Sequence, residues 1–393
     1  MTLTVLGIDG GPLPPGARSA LADAEVIAGA ARHLAAVPAH GAETIEMGPV
    51  EPVLDRLTGR RGVVLASGDP GFFGIVRLLR ERGCAPTVLP AASSVATAFA
   101  RLGRPWDDVA VVSAHGRALR PALNVCRARA ATAVLTAPGA GPAEIGAGLA
   151  GWERTLLVAE DLGGPGERLT TLSPAEAARR SWTEPNLVLC QRDPAAVPAR
   201  GWCAGGEPVP PAGGWALSED AFAHRAGMVT KAEVRALALA RLAPRPGTLV
   251  WDVGAGSGSV AVECARLGAA VIAVEREPDD AARIVDNAAA HGVDVRLMPG
   301  GAPAALEGLP EPDAVFVGGG GPDVVAAVAA AAPARIVVAL AALERLGPSR
   351  AALRGAGYRV EGVQLAAARL AELPDGATRL AATNPVLLLW GER

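Results

Sequence analysis

Short apolar runs alternate along this chain with longer stretches rich in alanine and leucine. The runs are three to seven residues long, rich in Val, Ile and Leu, and bounded by glycine, proline or an acid. Such runs read as buried strands, and the stretches between them as helices. In the first half this pattern predicts strands over 2–8, 62–66, 87–89, 109–113, 132–136, 155–159 and 187–190. Residues 196–214 then turn rich in Pro, Gly and Ala, with Trp202 inside and Trp215 just beyond, and read as a linker. A second series follows at 248–252, 270–274, 294–298, 314–317, 335–339, 359–365 and 385–390. Five of these seven alternate with helices, as in a parallel sheet. The last two, separated only by 366–384, are expected to pair antiparallel.

The most informative stretch is Leu249-Val250-Trp251-Asp252-Val253-Gly254-Ala255-Gly256-Ser257-Gly258-Ser259. An apolar strand ends in an acid, breaks into three alternating glycines and enters a helix expected over 260–267. The next strand ends in Glu275, 21 residues after the first glycine. Glycines admit close backbone approach, the helix start offers free N–H groups, and a strand-end acid can accept ribose hydroxyls. A dinucleotide site favours G-x-G-x-x-G with the pyrophosphate on the helix start. Here the spacing is G-x-G-x-G, and Asp252 would repel a pyrophosphate while suiting the cationic aminoacyl end of S-adenosyl-L-methionine. D-x-G-x-G-x-G followed by a strand-end Glu resembles the Rossmann-like seven-stranded methyltransferases. A dinucleotide enzyme and a plain strand–helix turn are the competing readings.

Composition narrows the classes. The chain has 393 residues, half of them hydrophobic, and a formal net charge of −3. That length predicts two or three domains, and without a basic block nucleic acid is not an expected partner. The longest apolar runs are too short to span a bilayer, and the N-terminus reads directly as a strand, so neither a membrane segment nor a signal peptide is expected. The five cysteines (84, 126, 190, 203, 264) show no metal-ligand spacing and read as reduced thiols of a cytoplasmic protein. Lys231 is the sole lysine among 37 basic residues. It sits in Thr230-Lys231-Ala232-Glu233-Val234-Arg235, where Thr230 and Glu233 have the spacing of a capping box opening a helix over 231–242. A ligand contact by Thr230 or Lys231 is compatible with that role.

In the first half, polar or glycine-bearing turns follow four strands: Leu6-Gly7-Ile8-Asp9-Gly10-Gly11, Ser67-Gly68-Asp69-Pro70-Gly71-Phe72-Phe73-Gly74, Ala92-Ser93-Ser94, and Ser113-Ala114-His115-Gly116-Arg117. Ligands of open α/β sheets gather at the carboxyl ends of strands, so four such turns suggest one site. The S-G-D-P turn with its aromatics, the Ser-Ser helix start and S-x-H-G-R resemble the tetrapyrrole methylase family over residues 1–195, and within it the branch methylating corrinoid precursors at ring carbon 5. The first loop departs from that family's G-x-G-P-G pattern. The resemblance implies two α/β subdomains with the adenosyl group between them, Gly68, Asp69, Phe72 and Phe73 beside it, and Ser93 and Ser94 near its methionine end. Asp69-Pro70 as a simple turn, the phenylalanines as core and Ser94 as a helix cap stand beside those roles. His115, with Asp69, is a candidate acid/base; a structural histidine is the alternative.

In the second half, T-K-x-E-V-R, W-D-V-G-A-G-S-G-S, A-V-E-R, G-G-A-P-A-A-L and P-D-A-V-F-V-G-G-G-G follow one another in order. They resemble the precorrin-6B C(15)-methyltransferase family, which is associated with decarboxylation, over 218–393. This implies a cofactor site lined by Thr230, Asp252, Gly254, Ala255, Gly256, Ser257, Gly258, Glu275, Gly301 and Ala302. Gly318, Gly319 and Gly320 would let a flat ring approach, or form a plain glycine turn. Together the halves resemble the fused C(5,15)-methyltransferases (decarboxylating) of cobalamin biosynthesis. The expected architecture is α/β, an N-terminal tetrapyrrole-methylase fold of two α/β subdomains (1–195), a linker (196–217) and a C-terminal Rossmann-like seven-stranded methyltransferase domain (218–393). The expected function is S-adenosylmethionine-dependent methylation of precorrin-6B (precorrin-6Y) at ring carbons 5 and 15, with decarboxylation of the ring C acetate, by a cytoplasmic homo-oligomer. The alternative is a methyltransferase of another tetrapyrrole or small molecule, with one half non-catalytic. Substrate carboxylates need cations; Arg117, Arg225, Arg369 and Arg379 lie near motif loops and are candidates.

Overall fold

A computed structural model describes residues 3–38, 41–48, 50–57, 59–197, 203–206, 213–225 and 229–393. Much of the expected linker, with Trp202, and residues 226–228 lie outside the described residues. Among those described, the first half contains two five-stranded sheets. The first comprises β1 (Leu3–Ile8), β2 (Val26–Gly29), β3 (Glu43–Glu46), β4 (Gly62–Ser67) and β5 (Thr87–Leu89), all parallel in the order β3-β2-β4-β1-β5. Its central strands are covered on both faces, and Val5, Leu6, Val63, Val64 and Leu65 are buried accordingly. The second comprises β6 (Ala110–Ser113), β7 (Ala131–Leu135), β8 (Thr155–Glu160), β9 (Arg168–Leu172) and β10 (Asn186–Gln191), ordered β6-β7-β10-β8-β9. Only β6 and β7 run parallel; the other neighbours are antiparallel.

The C-terminal sheet has seven strands: β11 (Leu249–Val253), β12 (Ala270–Glu275), β13 (Arg296–Pro299), β14 (Ala314–Val317), β15 (Arg335–Leu340), β16 (Arg359–Leu365) and the final strand. Between the last two lies a hairpin, β17 (Ala368–Glu372) and β18 (Thr378–Ala382); the final strand is β19 (Val386–Glu392). The sheet order is β13-β12-β11-β14-β15-β19-β16, and β19 enters antiparallel between β15 and β16. The expected antiparallel terminal pair is present, while the hairpin within 366–384 was not expected from the sequence. No helix among the described residues is long and apolar enough to cross a membrane.

The capping box is absent. Lys231 occupies the N-cap of helix Ala232–Leu242 without a side-chain cap. The carboxylate of Glu219 accepts the Ala232 N–H at 2.7 Å, and Glu233 turns outward to Arg369. A carboxylate from a neighbouring segment has replaced the local cap.

The halves dock through named contacts. Trp152 is buried in a core cluster with Leu249, Trp251 and Ala270. Asn124 donates to the Gly247 carbonyl at 3.0 Å, Arg154 pairs with Asp294 at 2.6 Å, and Arg120 with Asp313 at 2.9 Å. Gly247, Asp294 and Asp313 precede β11, β13 and β14, so this contact lies on the edge where the parallel strands begin. The glycine loops leave from the opposite edge.

Candidate functional site

The C-terminal site is built on the loop between β11 and helix Ser259–Arg266. Gly254, Gly256 and Gly258 all have positive φ (69°, 55° and 73°), where side chains are strained. A Cβ on Gly254 would meet the Gly319 backbone at 2.8 Å, whereas one on Gly256 would meet nothing within 4 Å. Gly254 and Gly319 thus let two strand-end loops pack backbone to backbone, and Gly256 borders open space. Part of the Gly318–Gly320 signal is therefore structural.

Glu275 ends β12 and shapes that loop: Oε2 accepts the Gly256 N–H at 2.8 Å, and Oε1 accepts the N–H groups of Arg276 and Glu277 at 2.8 and 3.0 Å. A carboxylate offers about four acceptor positions, so capacity for a ligand hydroxyl remains. The Gly300 N–H donates to the Glu275 carbonyl at 2.9 Å, bringing Gly301 and Ala302 to the same strand end.

Asp252 is 1% exposed. Its Oδ2 accepts the Ala261 N–H at 2.9 Å, while Oδ1 is buried with no partner among the described residues. Burial pushes its pKa up to about 7; the Ala261 N–H opposes that rise and the charge of Glu275 adds to it. A buried carboxylate oxygen left without a donor, beside a glycine loop and a ribose-competent acid, fits a cationic nucleoside cofactor and disfavours a phosphate. The donor set therefore suits S-adenosylmethionine.

Two supports of this site were not foreseen. Arg235 and Glu263 form a fully buried ion pair at 2.8 Å. Glu263 also accepts the N–H groups of Ala216 and Leu217, and Arg235 donates to the Thr230 and Leu217 carbonyls. The pair ties Thr230 and the segment before it to the helix leaving the glycine loop. Asn287 donates to the Ser257 carbonyl at 2.8 Å and exchanges hydrogen bonds with Ala223. All three are polar residues inside apolar helix faces, a signal that shows in the sequence without naming a partner.

The candidate arginines divide. Arg369 is taken by Glu219 and Glu233, each at 2.6 Å, and Arg225 pairs with Asp280 at 3.4 Å. These two serve the fold. Arg379 is exposed on β18.

In the N-terminal half two cavities of about 380 and 340 Å³ lie between the sheets and share Arg32, Ser67, Ser94, Pro185 and Asn186. The expected residues gather here. Gly68 and Ser94 line the larger, and Asp69, Phe72, Phe73, Ser93, Ser94 and His115 line the smaller. Asp69 Oδ1 accepts the Gly71 N–H at 2.8 Å, so it also makes the turn. Ser93, not Ser94, caps helix Ser94–Leu102, accepting the Ala96 N–H at 3.1 Å, which leaves Ser94 facing both cavities. Phe72 packs on the core; Phe73 meets it edge-on at 5.0 Å and is 42% exposed. Arg117 lies 5.8 Å from the Phe73 ring and donates to Ser113 Oγ. The divergent first loop is tied in by Asp9, whose carboxylate accepts the N–H groups of Gly11 and Ala92.

Comparison with known proteins gives each half a family. Tetrapyrrole (Corrin/Porphyrin) Methylases match residues 6–178, and the Precorrin methyltransferase domain matches residues 220–375. A Sinorhizobium precorrin-6Y C(5,15)-methyltransferase [decarboxylating] is 42% identical over 81% of this chain and 78% of its own length. This chain belongs to the precorrin-6Y C(5,15)-methyltransferase (decarboxylating) family. Its members are methyltransferases, and the expected α/β architecture and enzyme class stand. Single-activity relatives match about half of the chain each. A probable cobalt-precorrin-6B C(15)-methyltransferase (decarboxylating) of Pyrobaculum calidifontis is 36% identical over 44% of this chain and 93% of its own. A cobalt-precorrin-7 C(5)-methyltransferase of Salmonella typhimurium is 33% identical over 48% of this chain and 97% of its own.

Proposed function

We propose that this chain performs two methyl transfers on one corrinoid precursor, precorrin-6B (precorrin-6Y). Residues 1–195 act at ring carbon 5. Residues 218–393 act at ring carbon 15 and assist decarboxylation of the ring C acetate, which releases its carboxylate as carbon dioxide and, with a proton taken up, leaves a methyl group, with 196–217 as the link. The observation that carries this is the pairing of two unlike strand-end sites in one chain, one a glycine loop with Asp252 and Glu275, the other a double cavity between two sheets.

S-adenosylmethionine at each site would supply a methyl group already activated on a sulfonium. The protein's task is alignment, and positioning alone is worth about 7–11 kcal/mol. In the C-terminal half, Asp252 Oδ1 would hold the cofactor's ammonium and Glu275 a ribose hydroxyl. Gly254–Gly258, Thr230, Gly301 and Ala302 would border it, and Gly318–Gly320 would face the ring. In the N-terminal half, Gly68, Asp69, Phe72, Phe73, Ser93 and Ser94 would surround the cofactor, Arg117 would face a substrate carboxylate, and His115 or Asp69 would handle a proton. The free cysteines favour a reducing, cytoplasmic setting. Exposed Leu370 and Leu380, paired across the β17–β18 hairpin, favour a homo-oligomer.

Mass spectrometry of the product tests this. The intact chain is expected to add two methyl groups to precorrin-6B and release one carbon dioxide. Asp252→Ala and Glu275→Ala should abolish methylation at C15 while methylating C5 of supplied precorrin-7, the metal-free counterpart of the cobalt-precorrin-7 in the Salmonella relative's name. One methyl per substrate from the intact chain, or loss of both activities in either variant, contradicts the proposal.

A further inference from the structure

The wall where the two N-terminal cavities meet carries a polar cluster that the motifs did not reveal. Helix Ala31–Ala35 presents Arg32 and His33 side by side, against Ser67 at the end of β4. Arg32 lines both cavities. Among the described residues its guanidinium donates to Ser67 Oγ at 3.0 Å, and no carboxylate is paired with it. That distinguishes it from Arg225 and Arg369, which acids of the chain already hold.

His33 explains how the cluster is held. It is 6% exposed, and its Nε2 lies 3.2 Å from Ser67 Oγ. Because Ser67 Oγ accepts from Arg32, its own proton is free to go to His33 Nε2. The imidazole proton then sits on Nδ1, which is buried with no partner among the described residues. Burial, helped by the Arg32 charge, lowers the His33 pKa to about 4, so the ring is neutral near pH 7 and no second cation competes with Arg32. The Arg32 guanidinium, exposed at both cavities and held by Ser67, is open to an anion, and its planar fork matches a carboxylate.

We propose that Arg32, positioned by Ser67 and His33, anchors a peripheral carboxylate of the macrocycle at the N-terminal site and so selects which ring edge meets the methyl donor. The proposal rests on the function proposed above. A carboxylate could instead come from the methionine end of the cofactor, and the experiment separates the two. The full-length chain and its Arg32→Gln, Arg32→Lys and Ser67→Ala variants are compared using precorrin-7 and S-adenosylhomocysteine. Arg32→Gln should raise both the KM for C5 methylation and the equilibrium Kd for precorrin-7, read from its visible absorbance, by about 10- to 100-fold, the range for losing a charge-assisted hydrogen bond. Its kcat should change far less, and S-adenosylhomocysteine affinity by calorimetry not at all. Arg32→Lys should recover part of the loss, and Ser67→Ala should cause a smaller one. An unchanged precorrin-7 Kd in Arg32→Gln overturns the proposal, as does a fall in S-adenosylhomocysteine affinity in its place. If the unsubstituted chain transfers no methyl to C5, yet Arg32→Gln still weakens precorrin-7 binding, the proposed function fails and the anchor stands.

Discussion

At the scale of single residues, Asp252 connects sequence, electrostatics and the proposed ligand. A carboxyl group that titrates near 4 in an unfolded chain is pushed to about 7 by burial. The folded state therefore binds its proton more tightly than the unfolded state. The associated stability is fully present below pH 4 and is lost as the pH rises through 7. Asp252→Asn removes that dependence. Melting temperatures of the two proteins should converge near pH 4 and separate progressively above it, and the variant should melt a few degrees higher at pH 8. Parallel curves from pH 5 to 8 would contradict this. The positions of Asp252 and Glu275 were legible because they are set locally: Asp252 lies one residue before the end of β11 and Glu275 ends β12, each at fixed spacing from the glycines. Arg32 and Asn287 were not, since each acts through a partner that is remote in sequence, Ser67 for one, Ser257 and Ala223 for the other.

At the scale of elements, the buried Arg235–Glu263 pair joins helix Ala232–Leu242 to the helix leaving the glycine loop. Removing one member strands the other charge, at a cost of about 3–5 kcal/mol. Glu263→Ala should therefore lower the stability of the C-terminal half by about that amount in urea, and it should lose C15 methylation while keeping C5 methylation. A cost below about 1 kcal/mol would contradict the role given to the pair. Most strands were legible because both faces are buried, which makes them continuous apolar runs; β11 and β12 are buried along their full length. The missed strands are short or at edges. β3 buries only Ile45, and three of the five residues of β9 are polar, Arg168, Thr170 and Thr171. The β17–β18 hairpin has largely exposed faces and so lacks the apolar signal. The capping box failed for another reason: Glu219 and Arg369, brought in by the fold, supplied better partners than the local ones.

At the scale of the whole molecule, the docking contacts occupy the edge of the C-terminal sheet where its parallel strands begin, leaving the glycine-loop edge clear of Trp152, Asn124 and Arg154. Among the described residues, the C-terminal candidate site is built from residues after 215, and the N-terminal cavities from residues before 188. The motifs that point to each site lie within one half of the sequence, whereas the docking contacts between the halves left no comparable trace. The central claim is that two separate cofactor sites operate in one chain. Titration of the intact protein with S-adenosylhomocysteine in a calorimeter tests it most directly. Two molecules should bind per chain, falling to one in Asp252→Ala. A single site in the intact chain would contradict the account.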